Sequence, residues 1–329
     1  MLSIIRLIIV GCILLFSLHA YSLNNSNLFS DSLLHLKNMK LVSDPIVSCD
    51  SFTAVIPFTK AGNLILVKAT ADGVVGNFIL DTGAPGLVLN LSYFRELPAI
   101  ASFSQEQGGI TGSIAAADPT LINSFSFGPI KYSNVEADRI NLGHLENSKG
   151  VRILGLLGLN LFSRFEMIIN YEESILYFHL IGKKEVKSYN SSQLDNTAEY
   201  DVLPILIREN KLLTTATMEG KKLTFLIDTG AETNVIDSRL PDKIFDNVSV
   251  TGRILLSGTG SKKTEALSGN LKNLKLGKID IGTLPVIVTN LEKMCTAFDR
   301  CLDGMLGFDF LSLHKIGFNF VTRKMYIWK

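Results

Sequence analysis

Two aspartates stand in the same short setting in this chain. Asp81 closes Phe78-Ile79-Leu80-Asp81-Thr82-Gly83-Ala84, and Asp228 closes Phe225-Leu226-Ile227-Asp228-Thr229-Gly230-Ala231, 147 residues further on. Two carboxyls brought face to face cannot both ionise, so one stays an acid while the other is a base. Splitting an amide with water needs both roles at once. The neighbours suit such chemistry. Gly83 and Gly230 permit turns that leave backbone N–H groups open to a carboxylate, and Thr82 and Thr229 carry hydroxyls that could lock two loops together. A lone Asp-Thr-Gly is most often a simple turn. Two in matching frames, each after an apolar run, read as a pair built for chemistry.

The frame around them is duplicated. Gly155-Leu156-Leu157-Gly158-Leu159-Asn160 returns as Gly304-Met305-Leu306-Gly307-Phe308-Asp309, and Phe125-Ser126-Phe127-Gly128 as Leu274-Lys275-Leu276-Gly277, both at a spacing of 149. Each half is therefore a complete copy, about residues 45–181 and 197–329, joined by a polar linker at 182–196. Within the copies the apolar runs are short, β-branched and punctuated by Gly, Asn and Pro, which predicts strands. Helical periodicity is confined to a turn or two near Asn160–Arg164 and Asp309–Leu313. The expected fold class is all-β with minor helix, in two lobes related by an approximate two-fold axis.

Composition narrows the function. With 32 Lys plus Arg against 31 Asp plus Glu in 329 residues, the chain has no general field to hold polyanions, and nucleic acid is not an expected partner. The first 22 residues pair Arg6 with the apolar run Leu7–Leu18 and small residues at Ala20 and Ser22, as an export signal does. That run is shorter than the roughly 20 residues of a spanning helix, so no stable membrane insertion is expected after cleavage. Residues 23–44 are a leader, pro-segment or tail. An exported protein, periplasmic or secreted, can form disulfides. The six-residue spacing of Cys295 and Cys301 suits a small closed loop, whereas a metal site lacks ligand spacing and partners.

On the repeated Asp-Thr-Gly-Ala and the hydrophobic-hydrophobic-Gly element that follows each, the sequence resembles the retropepsin-like aspartic peptidases, including an exported bacterial branch, and by its two-lobe chain the pepsin group. The resemblance covers nearly the whole chain beyond the export signal. It implies closed β lobes, an extended peptide between them, no cofactor and no metal. It also implies Gly-rich hairpin flaps at about Gln105–Ala115, with Gly108, Gly109 and Gly112, and at about Leu256–Lys263, with Gly258 and Gly260. Ile153-Leu154-Gly155 and Leu302-Asp303-Gly304 are expected as strands behind the aspartates. Ala84 and Ala231 stand where such enzymes commonly carry a hydroxyl, so a mildly acidic optimum is expected.

The expected function is an aspartic endopeptidase, a monomer acting on peptide or protein substrates. The rival is an exported peptide-binding module on the same scaffold without turnover. Asp303, Asp309 and Asp237 face Leu154, Asn160 and Asn90 in the other copy, which argues against a place for them in the pair.

Overall fold

The computed structural model describes residues 44–49, 52–100, 108–109, 112–113, 118–189, 194, 196–256, 264–295 and 301–329. Residues 1–43, expected as an export signal and leader, and Gly258 and Gly260 lie outside the described residues. From Val42 to the C-terminus the chain forms one compact unit, mostly β.

Each half closes a sheet on itself. In the first, Leu64–Ala71, Val74–Leu80, Gly155–Leu157, Leu87–Asn90, Ile130–Ile140 and Asp118–Phe127 follow one another around the ring, and Asp118–Phe127 returns to Leu64–Ala71 through Ala69↔Phe127. The second half repeats this order with Lys211–Met218, Lys221–Ile227, Gly304–Leu306, Asn234–Asp237 and Leu284–Thr289. Its last strand is broken into Thr264–Leu271 and Lys275–Leu276, and Lys275 closes the ring onto Thr217. Closure removes sheet edges that would otherwise be open to pairing.

The two halves also share a sheet. Thr53–Pro57, Ile175–Leu180 and Phe165–Asn170 of the first copy continue into Ile316–Asn319, Lys324–Trp328 and Tyr200–Pro204 of the second, six strands in all. Ile168 pairs with Gly317, its own counterpart in the repeat, so the two-fold axis passes between them. A Cβ on Gly317 would sit 3.2 Å from the Ile168 side chain, a tight fit where the copies meet. One buried cluster runs through both halves, from Phe78, Phe127, Phe162 and Phe178 to Phe225, Phe310, Phe318 and Phe320. Each such side chain contributes roughly 1.5–3 kcal/mol on burial.

The linker is held rather than loose. Tyr189 stacks on His179 with ring centroids 4.7 Å apart, and its hydroxyl donates to Glu166 on the shared sheet. Helix is minor, as the weak periodicity implies: one turn at Leu159–Phe162 and another at Phe308–Leu311 follow the paired glycines. One expectation needs correcting. The strands behind the aspartates begin at Gly155 and Gly304 rather than at Ile153 and Leu302. Ile153 and Leu154 instead form the approach to the strand, where Asn90 takes the Ile153 carbonyl and Asn77 the Leu154 N–H.

Candidate active site

The apolar runs before each aspartate become the innermost strands. Phe78, Ile79 and Leu80, like Phe225, Leu226 and Ile227, are almost fully buried, and each run pairs in parallel with the short strand that starts at Gly155 or Gly304. Those glycines have no room for a side chain. A Cβ on Gly155 would lie 2.0 Å from the Val88 carbonyl, and one on Gly304 would lie 2.5 Å from that of Val235. The strands therefore end at fixed points. Asp81 N–H donates to Leu157 O and Asp228 N–H to Leu306 O, each at 3.0 Å.

Beyond those ends the two loops meet. Thr82 Oγ1 donates to the Ile227 carbonyl at 2.9 Å and accepts the Thr229 N–H at 3.0 Å. Thr229 Oγ1 donates to the Leu80 carbonyl at 2.8 Å and accepts the Thr82 N–H at 3.0 Å. Both threonines are buried, so these four bonds are sheltered from competing water. The glycines complete the contact crosswise: a Cβ on Gly83 would fall 2.5 Å from Asp228 Oδ2, and one on Gly230 would fall 2.6 Å from Asp81 Cγ. No larger residue fits at either place without moving the opposite carboxylate.

The carboxyls of Asp81 and Asp228 are close enough for each to act on the ionisation of the other. Asp81 Oδ1 accepts the N–H groups of Gly83 at 2.9 Å and Ala84 at 3.0 Å. Asp228 Oδ1 accepts that of Gly230 at 2.8 Å. Burial first, and then the charge of Asp81, push Asp228 up to about 8, well above an ordinary carboxyl. The pair is thus arranged to hold one proton and one negative charge together. Among the described residues, no cluster of His, Cys, Asp and Glu is gathered that could hold a metal ion.

The remaining candidates lie further out. Gly108–Gly109 and Gly112–Ser113 pair as a small hairpin, and the helical turn Glu292–Cys295 of the second half lies beside it. In the second half the described part of the corresponding hairpin is Val248–Leu256 against Thr264–Leu271, with its tip outside the described residues. Cys295 and Cys301 are joined by a disulfide, and Arg239 Nη2 donates to Cys295 Sγ at 3.0 Å. Cys49 is a free thiol. The three other aspartates have structural duties. Asp237 accepts Arg239 and the Leu291 N–H, Asp303 accepts the Thr224 N–H, and Asp309 accepts the Thr233 hydroxyl.

Two features belong to no motif. Lys211 Nζ donates to the Gly83 carbonyl, and Glu232 takes Lys149 and the Asn63 N–H from the other half. Both could have been found by aligning the copies, since Lys211 faces Leu64 and Glu232 faces Pro85. A charge opposite an apolar or ring residue inside a repeat marks a place where the halves have parted.

Comparison with known proteins agrees with this construction. The profile of the aspartyl protease family matches the chain twice, over residues 67–161 and 214–310, more than half its length. The chain belongs to that family, in a tandem-duplicated, retropepsin-like form. A 92-residue stretch, 28% of the chain, is 30% identical to the retrovirus-related Pol polyprotein from transposon 412 of Drosophila melanogaster. The match spans only 7% of that polyprotein. Among solved structures, conglutin gamma, a basic 7S globulin from lupine seeds, is similar at 13% identity and a TM-score of 0.46, over 85% of this chain and 95% of its own.

Proposed function

We propose that the protein is an aspartic endopeptidase that hydrolyses peptide bonds with a water held between Asp81 and Asp228. The observation that supports this most directly is the crossed packing of the two loops, in which reciprocal threonine bonds and glycine contacts bring the two carboxyls together. In the reaction one carboxylate takes a proton from water as the water oxygen attacks the scissile carbonyl carbon. The other carboxyl gives its proton to the carbonyl oxygen, forming a neutral gem-diol. The first carboxyl then protonates the amide nitrogen and the second recovers a proton from a diol hydroxyl. The C–N bond breaks, acid and amine leave, and one proton again sits on the pair.

The extended substrate would lie over this floor beneath the two hairpins, adding its backbone to strand edges. The same proposal takes residues 1–22 as an export signal and the released chain as a monomer. Cleavage of a mixed peptide library across acid to neutral pH, beside Asp81→Asn and Asp228→Asn, is the test. Wild type should cut and both variants should lose at least about a thousandfold in kcat/KM, the scale on which a paired acid and base act. Turnover that survives either substitution would sink the proposal.

A further inference from the structure

We infer that Lys211 is a positioning residue for the aspartate pair, holding the two carboxyls in the form that carries one proton and one negative charge. This rests on the peptidase reading above and names the group that sets the first ionisation of the pair.

The two carboxyls are not equivalent. A strict two-fold axis would make them so, yet the loops around them differ. Asp81 holds two backbone donors, Gly83 and Ala84, where Asp228 holds the Gly230 N–H. Lys211 stands where its charge acts on both. It begins the Lys211–Met218 strand of the second half, reaches across to the first, and donates its ammonium to the carbonyl of Gly83, two residues from Asp81. The corresponding residue of the first half is Leu64, buried in an apolar cluster, so no cation answers it near Gly230. A hydrogen bond to a carboxylate favours its charged form, and so does a nearby cation in a poorly hydrated place.

Charged groups also flank Lys211 along its own strand and the neighbouring ones. Burial, the largest influence, lowers its hold on its proton below that of an ordinary lysine, and the two aspartates work against that loss. Across its own hairpin it pairs with Arg208, with Glu209 in the connecting turn, and Lys221 and Lys222 stand at the far end of the neighbouring strand opposite Met218 and Thr217. Glu232, the acid nearest in the second loop, is engaged by Lys149 and Asn63. The ammonium is therefore directed to the pair.

In the reaction the ionised carboxyl of the pair takes the proton of the attacking water, and the protonated one gives its own to the carbonyl oxygen. Removing the cation should make the first ionisation of the pair harder. The experiment compares pH profiles of kcat/KM for the purified protein and for Lys211→Met, Lys211→Gln and Lys211→Arg. It also follows the ionisation of the pair by 13C NMR of labelled aspartate carboxyls, which needs no turnover. Lys211→Met and Lys211→Gln should move the acidic limb, and the matching carboxyl titration, upward by roughly one pH unit or more, while Lys211→Arg stays near wild type. Gln keeps a donor for Gly83, so it separates charge from hydrogen bonding. An acidic limb and titration unmoved in the Met and Gln variants, or moved equally in Arg, would overturn the inference. A wild type that cuts nothing would defeat the peptidase reading, and the NMR titration alone would then judge Lys211.

Discussion

Thr82 and Thr229 each donate once and accept once across the two-fold axis, so each hydroxyl ties two backbone groups of the opposite loop. Replacing either by Val keeps the shape and strands a buried carbonyl and a buried N–H, which costs about 1–3 kcal/mol for each group left unpaired. Thr82→Val and Thr229→Val should therefore lower the urea midpoint clearly, while the Ser variants, which keep the hydroxyl, stay close to wild type. Asp228 carries a different prediction. It titrates at 3.8 when unperturbed but is pushed up to about 8 in the fold. Below pH 3.8 it is protonated in both states, and its contribution to stability is whole. As pH rises the unfolded chain releases the proton first, so stability drains away up to about 8. Asp228→Asn removes that penalty: its melting temperature should exceed wild type at about pH 7 by more than at about pH 3.5. An equal difference at both pH values would contradict the assignment.

At the level of elements, the strands depend on glycines that nothing else can replace. A Cβ on Gly158 would stand 2.1 Å from the Gly86 carbonyl, and one on Gly307 would stand 2.6 Å from the carbonyls of Ala231 and Thr233. Each glycine presses on the segment that follows an aspartate, so Gly158→Ala and Gly307→Ala should either fail to accumulate as folded protein or lose activity without any change to the carboxyls. Soluble yield and circular dichroism would decide it. These glycines were legible in the sequence because they recur at a constant spacing, as were the strands ending at Asp81 and Asp228, where burial on both faces leaves an unbroken apolar run. Longer strands such as Asp118–Phe127 and Val248–Leu256 were harder to see. Their residues alternate between core and solvent, so polar side chains interrupt the apolar signal. The sharing of a sheet between halves left no local mark at all, since register between distant strands is set by tertiary packing. Lys211 is legible only against its counterpart Leu64 in the other copy, since a single lysine at a strand start is otherwise ordinary.

For the molecule as a whole, the shared sheet and the continuous core make the two halves one cooperative body. Calorimetry should show a single unfolding transition whose calorimetric and van't Hoff enthalpies agree. Residues 45–181 alone would expose the Phe165–Asn170 edge and the apolar surface beneath it, and should aggregate unless residues 197–329 are expressed beside them. Two separate transitions, or a well-folded isolated half, would show that the joint is weaker than the contacts imply. The axis between Ile168 and Gly317 carries a last consequence. A pair of identical subunits meeting there could place a cation beside both aspartates or beside neither, since symmetry copies every substitution. Joining the two copies in one polypeptide lifts that restriction, so a mutation can be made once. Lys211 opposite Leu64, and Glu232 opposite Pro85, are what such freedom leaves behind: a centre whose outline is still symmetric and whose charges no longer are.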